Sequence, residues 1–341
     1  MQIITIGIDL AKTVFQVHGV YEDGSVAFNK PLRRSQMLDF FARLGPCLIG
    51  IEACGSSHYW ARELTALGHE VKLMPANYVK AYVKRGKSDA ADAAAICEAV
   101  TRPTMRFVAI KSEDQQAILS LHRVRQSLIN QRTQLVNMIR GLLAEFGIVL
   151  PRGVNHLRRF ASEVQAGEVL DMPETGEDVI ALLCDQLIDL DQRISCLDKR
   201  IASEARKDER IVLLQTIPGV GPITASAIVA TIDTGRQFRS ARDFAAWIGL
   251  TPLNKSSGGK EVLGRISRMG DRYIRRLLVN GMASRVRYAK QKPHRADPWL
   301  LNLLERKPAK LAAVAMANKT ARIVWAVLTN GEPYREVDAA R

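Results

Sequence analysis

The N-terminal part of the chain alternates between strand-like and helix-like hydrophobic patterns. An apolar run at residues 3–8 precedes two alternating segments around an Asp23-Gly24 turn, and this arrangement is typical of a β-hairpin. Strand and helix patterns then take turns, which favours parallel pairing through crossover helices. These later segments are a helix at 35–44 capped by Ser35, a strand at 47–53, a helix at 56–68 that ends at Gly68, and a strand at 69–74. The order predicts a mixed sheet of the RNase H type.

Helical periodicity dominates the rest of the chain. An alanine-rich helix starts at Ser88 or Asp89, a long basic helix follows at 112–146, and residues 151–176 form a weakly patterned connector. Apolar side chains then recur at alternating spacings of three and four, which is a heptad pattern. They are Ile180, Leu183, Leu187, Leu190, Ile194, Leu197 and Ile201. We interpret this helix either as a coiled coil that joins domains or protomers, or as a helix packed on its own domain.

These patterns divide the 341 residues into three predicted parts. An α/β domain at 1–150 contains the sheet and the long basic helix. A connector with the coiled coil occupies 151–206, and a mainly helical domain occupies 207–341. The predicted fold class is therefore α/β plus α.

Positive charge is concentrated at the C-terminal end. Residues 236–341 hold 22 Lys or Arg against 8 Asp or Glu, which accounts for the whole net charge of +14. Such a field favours polyanions, with nucleic acid first and acidic membrane second. No membrane span is expected, because Lys319 and Arg322 interrupt the best apolar run at 311–328. The chain shows no secretory signal and its five cysteines form no CxxC pair, so we expect a cytoplasmic protein without a zinc site or disulfides.

Four carboxylates are predicted to converge at one edge of the sheet. Asp9 ends the first strand and Glu52 ends the fourth, and the ends of parallel strands meet at the same edge. Asp89 and Asp92 lie three residues apart, on one face of the following helix. Four converging carboxylates repel one another unless cations bind, and hard oxygen ligands suit Mg²⁺ or Mn²⁺. Two such ions hold the attacking and leaving oxygens of a phosphoryl displacement.

The sequence after the first strand disfavours a nucleotide-binding fold. An actin-like or sugar-kinase fold needs glycines directly after the aspartate to hold a phosphate, and the chain has Leu10, Ala11 and Lys12 after Asp9. The GxxxxGK[ST] phosphate loop is also missing from the sequence. We therefore expect no step driven by ATP.

Glycines and basic residues in the C-terminal part predict contacts with phosphates. Gly219 and Gly221, before a helix-forming run that ends near 232, have the pattern of a helix-hairpin-helix element, whose backbone N–H groups approach a phosphate closely. The alternative is a hairpin that serves only as scaffold. Further candidates for nucleic-acid binding are basic and lie close in sequence: Lys255, Lys260, Arg265, Arg268, Arg272, Arg275 and Arg276. Contacts of this kind read the backbone of a nucleic acid and not its sequence.

A polar, glycine-rich loop at 254–260 contains two serines. Ser256 and Ser257 precede Gly258 and Gly259. Serines beside glycines most often form a plain flexible loop. From the residues alone, neither serine is assigned a catalytic role.

Several motifs in order resemble the DEDD-type insertion-sequence transposases of the IS110 family, over nearly the whole chain. They are GIDLAKT with Asp9, GIEACGS with Glu52, KSDAADA with Asp89 and Asp92, then IPGVGPITA, FAAWIGLTP and SSGGK. The resemblance implies a RuvC-like domain, a coiled-coil linker and a C-terminal transposase domain with a nucleophilic serine. By its place after GLTP and before a glycine, that serine is Ser257, with Ser256 as its alternative.

The resemblance also implies partners. Members of the family act on donor and target DNA, are guided by a structured bridge RNA, and assemble as homo-oligomers, so we expect a dimer or a tetramer. In such tetramers the RuvC-like domain of one protomer meets the serine domain of another. A covalent serine–DNA ester preserves the energy of the phosphodiester bond, which agrees with the missing ATP loop. We expect the protein to act at the bacterial nucleoid.

Two other functions remain open at this stage. A RuvC-like structure-specific endonuclease, such as a junction resolvase, uses the four carboxylates to direct water and never retains the DNA. A helix-hairpin-helix binding module without catalysis needs only the basic C-terminal part. Neither of these functions requires Ser257.

Overall fold

The structure is a computed structural model that describes residues 2–83, 88–255 and 262–335. The chain divides into two compact units, Met1–Asp114 and Gln115–Arg341. We call them the first unit and the second unit.

The described part of the first unit is built on a five-stranded mixed sheet. β1 (Ile3–Asp9), β2 (Val14–Tyr21) and β3 (Val26–Arg33) pair antiparallel, whereas β4 (Leu48–Glu52) and β5 (Glu70–Met74) run parallel to β1. The spatial order is β3-β2-β1-β4-β5. The predicted mixed sheet is confirmed, and its topology fits an RNase H-like domain.

Helices cover both faces of this sheet. They are α1 (Met37–Ala42), α2 (Ser57–Ala66), α3 (Ala76–Val79) and α4 (Asp89–Val100). On the α1 and α2 side, the sheet contributes Ile6, Ile8, Ile49 and Ile51, and the helices contribute large side chains such as Phe41, all fully buried. Because successive residues of a strand point to opposite faces, the residues between these isoleucines point toward α4.

The start of α1 differs from the prediction. Arg34–Gln36 forms a 3-10 turn, and the residue before α1 is Gln36, without a side-chain capping hydrogen bond. Ser35 lies inside that turn, so its predicted capping role is wrong. The reason is that the helical path starts earlier, at Arg34, so the extended residue before it is Arg33, whose backbone N–H donates to Oε1 of Gln36 at 3.1 Å.

The second unit is mainly helical in its described part, as predicted for the C-terminal end of the chain. Its elements are α5 (Glu113–Glu145, which begins two residues earlier), α6 (Val154–Gln165), α7 (Glu174–Ala205), α8 (Glu209–Leu214), α9 (Pro222–Ile232), α10 (Ala241–Trp247), β6 (Pro252–Asn254), β7 (Leu263–Ile266), α11 (Arg272–Gln291), α12 (Pro298–Arg306) and α13 (Ala309–Asn330). The short helix α6 lies where the sequence predicted only a connector.

The long basic helix α5 belongs to the second unit by its packing. Its buried residues Leu135, Ile139 and Leu143 share a cluster with Leu157 of α6 and Ile180 of α7. The compact division falls in the first turn of α5, between Asp114 and Gln115, whereas the predicted domain boundary at 150 follows the helix. The apolar positions of α5 are spaced by four residues, a pattern that does not say which domain they face.

The heptad helix α7 runs antiparallel to α5 within the chain. Arg125 pairs with Asp198, and Arg132 pairs with Asp191 at 2.7 Å, so the partners are seven residues apart on both helices. Five of the seven heptad side chains are buried in this one chain, namely Ile180, Leu187, Leu190, Ile194 and Ile201. These contacts indicate that the apolar heptad side of α7 packs on its own unit. A coiled coil between protomers remains a prediction.

A buried histidine connects three helices of the second unit. The ring of His122 on α5 lies 3.0 Å from the hydroxyl of Tyr273 on α11 and 3.2 Å from the hydroxyl of Ser226 on α9. Burial, together with the charge of Arg125, lowers the pKa of His122 to about 4. The ring is therefore neutral at pH 7, and its hydrogen bonds connect the three helices inside the core.

Among the described residues, α13 is the one helix long and apolar enough to cross a membrane by length and composition. Its apolar side, including Met316, Val324 and Leu328, is buried in the core of the second unit with α11. Lys319 lies on the same helix, 4.3 Å from the ring centroid of Trp299. These contacts are those of a core helix in a folded unit, and they agree with the expectation that the chain has no membrane span.

We expect Asp191 to stabilise the second unit more than its neighbour Asp189. The carboxylate of Asp191 accepts from Arg132 and Arg158 and is 17% exposed, whereas Asp189 pairs only with Arg193 in solvent. Asp191→Asn should reduce the free energy of unfolding by roughly 1–3 kcal/mol, because two guanidinium groups lose their partner. Asp189→Asn should change it by less than about 0.5 kcal/mol. Urea unfolding at pH 7 measures both.

The stabilisation that Asp191 provides through its two arginines should depend on pH. Hydrogen bonds from Arg158 and Arg132 outweigh burial and hold the pKa of Asp191 below its ordinary value. A depressed carboxyl pKa contributes stability above the unfolded-state value, near 3.9, and this stability is lost as the pH falls through the folded value. The difference in free energy of unfolding between wild type and Asp191→Asn should therefore disappear at acidic pH. A gap that persists unchanged at low pH would contradict the charge-based account.

Candidate functional site

The structure places Asp9 and Glu52 at the same edge of the sheet, as predicted. Asp9 is the last residue of β1 and Glu52 is the last residue of β4. The two strands pair in parallel with Ile8 opposite Ile51, so the two carboxylates leave neighbouring strands at the same level. Both side chains are half-buried.

The two aspartates of the following helix lie in its first turn. Ser88 caps α4, and its side chain accepts from the backbone N–H of Ala91 at 3.3 Å. Asp89 is therefore the first residue of the helix and Asp92 the fourth, so they share a face. The N-terminus of a helix carries a partial positive charge that favours anions, and this offsets part of the cost of placing two carboxylates there.

Two glycines of the sheet allow α4 to approach it closely. A Cβ atom on Gly7 would lie 2.2 Å from the carbonyl oxygen of Ala93 and 2.4 Å from the backbone N of Cys97. A Cβ on Gly50 would lie 2.8 Å from Cβ of Val100. Gly7 and Gly50 stand two residues before Asp9 and Glu52, so the residues that admit the helix share a face with the carboxylates.

A chain of side-chain amides fixes the start of α4. Gln16 on β2 donates through Nε2 to Oδ1 of Asn29 on β3 at 2.6 Å, and Asn29 donates through Nδ2 to the carbonyl of Ala90 at 3.2 Å. Gln16 is the register partner of Asp9 on the adjacent strand. The sequence analysis did not find these positioning residues, because Gln and Asn on strands that alternate polar and apolar positions read as a solvated face.

The four carboxylates share one electrostatic environment. Burial, together with the charges of Asp92, Asp89 and Glu52, raises the pKa of Asp9 to about 6. Burial and the charge of Asp92 likewise raise the pKa of Glu52. The same charges reach Cys54, whose thiol pKa is raised by burial and by Glu52 and Asp9. The fold thus holds negative charges together at some cost, which is typical of a functional site.

These residues fit a divalent metal ion by the chemistry of their donors. All four are carboxylates, which are the ligands that Mg²⁺ and Mn²⁺ prefer. In the parts of the chain that the structure describes, no three His, Cys, Asp or Glu side chains lie close enough to form a ready metal cluster. Burial and the neighbouring carboxylates raise the pKa of Asp9, and a bound cation would offset the repulsion among these charges.

The predicted hairpin of the second unit is a tight turn packed on α11. Gly219 has a φ of +86° in the turn between α8 and α9, and Gly221 is the residue before α9. A Cβ on Gly219 would lie 2.5 Å from the side chain of Met282 and 3.1 Å from that of Arg285. The turn therefore needs glycine for packing, and it also lies against a basic side chain suited to a phosphate. Its role in nucleic-acid binding stays a prediction.

The predicted basic residues have different surroundings. Arg275 is the clearest exception, because its Nη1 donates to the carbonyls of Ile248 and Met269 at 2.6 Å each, which makes it a structural residue. Arg276 lies over the ring of Tyr273, with 5.5 Å from its guanidinium carbon to the ring centroid. The remaining described members are exposed, namely Lys255, Arg265, Arg268 and Arg272.

Two of the exposed arginines occupy energetically unfavourable positions. Arg268 has a φ of +56°, which costs a non-glycine residue about 1 kcal/mol or more. Arg272 is the first residue of α11, where the helix dipole disfavours a cation. Residues in such positions are frequent at binding sites. Arg268 lies between β7 and α11, and Arg272 begins α11.

Ser256, Ser257 and Lys260 lie outside the described residues. The structure describes the two strands that precede and follow them, β6 and β7, which pair antiparallel. The backbone N–H of Lys255 donates to the carbonyl of Val262 at 2.9 Å and extends this pairing toward the serines. The sequence analysis predicted a loop here and did not predict the two short strands.

A mixed sheet with four carboxylates at one edge, together with a basic helical unit, defines an enzyme of the RNase H-like type that acts on nucleic acid. Residues 212–297 match the family described as Transposase IS116/IS110/IS902, and residues 6–148 match the DEDD transposase family of the IS110 type. The chain therefore belongs to the IS110 family of insertion-sequence transposases.

Relatives that are described as transposases match this chain over more than nine tenths of their own length. A probable family 20 transposase of Pseudomonas aeruginosa is 48% identical over 98% of this chain and 99% of its own length. The transposase for insertion sequence element IS1328 of Yersinia enterocolitica is 37% identical over 96% and 98%. The transposase for IS1111A of Coxiella burnetii is 37% identical over 97% and 91%.

We expect Gly7→Ala to abolish DNA strand cleavage. The added Cβ meets backbone atoms of α4, so the helix must move and carry Asp89 and Asp92 away from Asp9. The matched control is Gly45→Ala, since a Cβ at Gly45 has a side-chain nitrogen at 3.7 Å as its nearest neighbour. Cleavage of plasmid DNA, together with circular dichroism to verify folding, measures both. Normal cleavage by a folded Gly7→Ala protein would show that the approach of α4 does not set the geometry of the site.

Proposed function

We propose that this transposase cuts and rejoins DNA strands by metal-assisted transesterification through a covalent serine–DNA intermediate. Membership in the IS110 family establishes an insertion-sequence transposase that cleaves and transfers DNA. The observation that supports metal assistance is the placement of Glu52, Asp89 and Asp92 near Asp9, whose pKa is raised to about 6 by burial and by these three charges.

Each carboxylate would act as an oxygen ligand at the edge of the sheet. A divalent ion bound there supplies charge neutralisation at the scissile phosphate and lowers the pKa of a hydroxyl nucleophile. β1 and β4 orient Asp9 and Glu52, and the capped first turn of α4 presents Asp89 and Asp92. Asn29 holds that turn through the carbonyl of Ala90. The proposed ion is Mg²⁺ or Mn²⁺, because hard carboxylate oxygens suit both.

The proposed nucleophile is Ser257. The serine hydroxyl attacks the scissile phosphate, so that an ester forms between its oxygen and one end of the cut strand while the P–O bond to the other end breaks. That other end leaves with a free hydroxyl, which takes up a proton in place of the one that the serine loses. Attack by a new DNA hydroxyl on this ester releases the serine and restores a phosphodiester, so no external energy is needed. Support comes from the family and from the sequence position of Ser257 between β6 and β7, next to which the basic side chains of Lys255 and Arg265 are exposed.

The proposed partners are DNA, a guide RNA and further copies of the chain. DNA as substrate follows from the family. Guidance by a bridge RNA and assembly as a dimer or tetramer are proposals carried by the resemblance. The exposed basic residues of the second unit, including Arg265 and Arg268, suit phosphates of either nucleic acid. We propose that the protein works in the bacterial cytoplasm at the nucleoid.

We expect Asp9→Asn to abolish cleavage and yet to stabilise the metal-free protein. The pKa of Asp9 is raised, so the proton stabilises the fold fully below the unfolded value near 3.9, and this contribution is lost as the pH rises through about 6. In EDTA at pH 7.5 the neutral amide should add roughly 1–2 kcal/mol to the free energy of unfolding, after discounting for the half-exposed side chain. Added Mg²⁺ should stabilise wild type and not the variant.

The control for this prediction is Glu22→Gln, which removes an exposed carboxylate at the opposite end of β2. It should leave cleavage, stability in EDTA and the response to Mg²⁺ unchanged. If Asp9→Asn lowers stability in EDTA, or if wild type cleaves fully in EDTA, the carboxylates are not a metal site.

We expect a covalent adduct between Ser257 and a DNA end during recombination. A reaction with labelled DNA, guide RNA and Mg²⁺ is quenched in denaturant, and label that migrates with the protein is measured. Wild type should form the adduct, whereas Ser257→Ala should bind nucleic acid and form none. If Ser256→Ala alone loses the adduct, the nucleophile is the neighbouring serine. Cleavage without any adduct in wild type would make water the nucleophile and favour a structure-specific nuclease.

A further inference from the structure

An open pocket lies on the side of the first unit opposite α4. Its volume is about 880 Å³, and its lining includes Arg33, Arg34, Tyr59 and Trp60. We call it the Arg34 pocket. The proposed cleavage chemistry uses none of these residues.

The Arg34 pocket combines cations with exposed flat and apolar side chains. Arg33 and Arg34 are exposed, and no described carboxylate lies within ion-pair distance of either. Tyr59 is also exposed at the wall of the pocket. Arginine planes and aromatic rings are the side chains on which unpaired bases stack, while guanidinium groups bind the neighbouring phosphates.

The arginine at the centre of the pocket is held in place before any ligand arrives. The guanidinium carbon of Arg34 lies 5.2 Å from the ring centroid of Trp60 and 5.8 Å from that of Phe15. The two rings also pack edge to face at 5.3 Å. A cation fixed on two aromatic rings loses less conformational entropy when it binds an anion.

A buried donor at the pocket lacks an acceptor. Trp60 is 3% exposed, and its indole Nε1 has no hydrogen-bond partner among the described residues. This N–H is closed to solvent and does not face a ligand, so Trp60 contributes to the pocket through the ring that holds Arg34.

The Arg34 pocket opens close to the carboxylates. Thr13 and Val14 line it, and Thr13 lies four residues after Asp9 in the chain. Four residues of chain span at most about 14 Å, which equals about four stacked nucleotides at roughly 3.4 Å each. A strand that passes around this end of the sheet from Asp9 and Glu52 would need only a few nucleotides to reach the pocket.

We propose that the Arg34 pocket binds a single-stranded segment of the DNA substrate, with one base stacked on Tyr59 and its phosphate bound by Arg34. DNA is the ligand because the family acts on DNA. A duplex would bury its bases and leave no face for Tyr59, so the segment is unpaired. The pocket holds the strand that leads to the carboxylates, and it acts as a binding site without a role in bond breaking.

The test measures photocrosslinking of the full chain to single-stranded DNA that carries 4-thiothymidine. The crosslinked peptide should contain Tyr59, and Arg34→Gln should lower its yield about tenfold. Arg43→Gln removes an exposed charge at the end of α1, outside the pocket, and should leave the yield unchanged. Asp39 also lines the pocket, so Asp39→Asn should raise the yield by removing a repulsive charge.

The opposite directions of Arg34→Gln and Asp39→Asn keep the test decisive if one variant folds poorly. Equal yields in Arg34→Gln and Arg43→Gln would overturn the proposal, and so would a crosslink that never maps to the Tyr59 peptide. Duplex DNA or RNA of the same sequence that labels the peptide more strongly than single-stranded DNA would also overturn it. Asp9→Asn should crosslink normally, so the result is separate from the proposed cleavage mechanism.

Discussion

The first unit depends on one close approach, that of the α4 backbone to β1 and β4. Gly7 and Gly50 make it possible, because any larger side chain there would meet backbone or Cβ atoms of α4 within 3 Å. The consequence appears two residues later on each strand, where Asp9 and Glu52 come into the field of Asp89 and Asp92. The packing energy of the helix thus opposes the repulsion of four carboxylates, and the site depends on the core beside it.

The second unit has a helical core in which buried polar side chains form hydrogen bonds between the helices. His122 contacts Ser226 and Tyr273, and Arg275 binds the carbonyls of Ile248 and Met269, so several helices are tied together by hydrogen bonds that need fixed geometry. A core of this kind presents the strained segment around Arg268 at its surface. The cations that remain exposed are therefore those available to phosphates, and they are fewer than the basic residues in the sequence.

The two units divide the chemistry of a transposase in a way that charge alone suggests. Acidic side chains that need cations lie in the first unit, and the net positive charge of the protein lies in the last third of the chain. The Arg34 pocket departs from this division, since it places two unpaired arginines in the neutral part of the chain near the acidic edge. A strand held there would approach the carboxylates from a positive surface, which lowers the cost of bringing phosphates to them.

The sequence by itself determined the strand order, the edge shared by Asp9 and Glu52, and the capped helix of Asp89 and Asp92, because periodicity and caps are local properties of the chain. Tertiary structure decided what local patterns do not contain. It assigned α5 and the heptad seam of α7 to one unit, gave Arg275 a structural role, and joined Gln16 and Asn29 to the start of α4. Each of these depends on partners distant in sequence, so only the folded chain brings their atoms within reach.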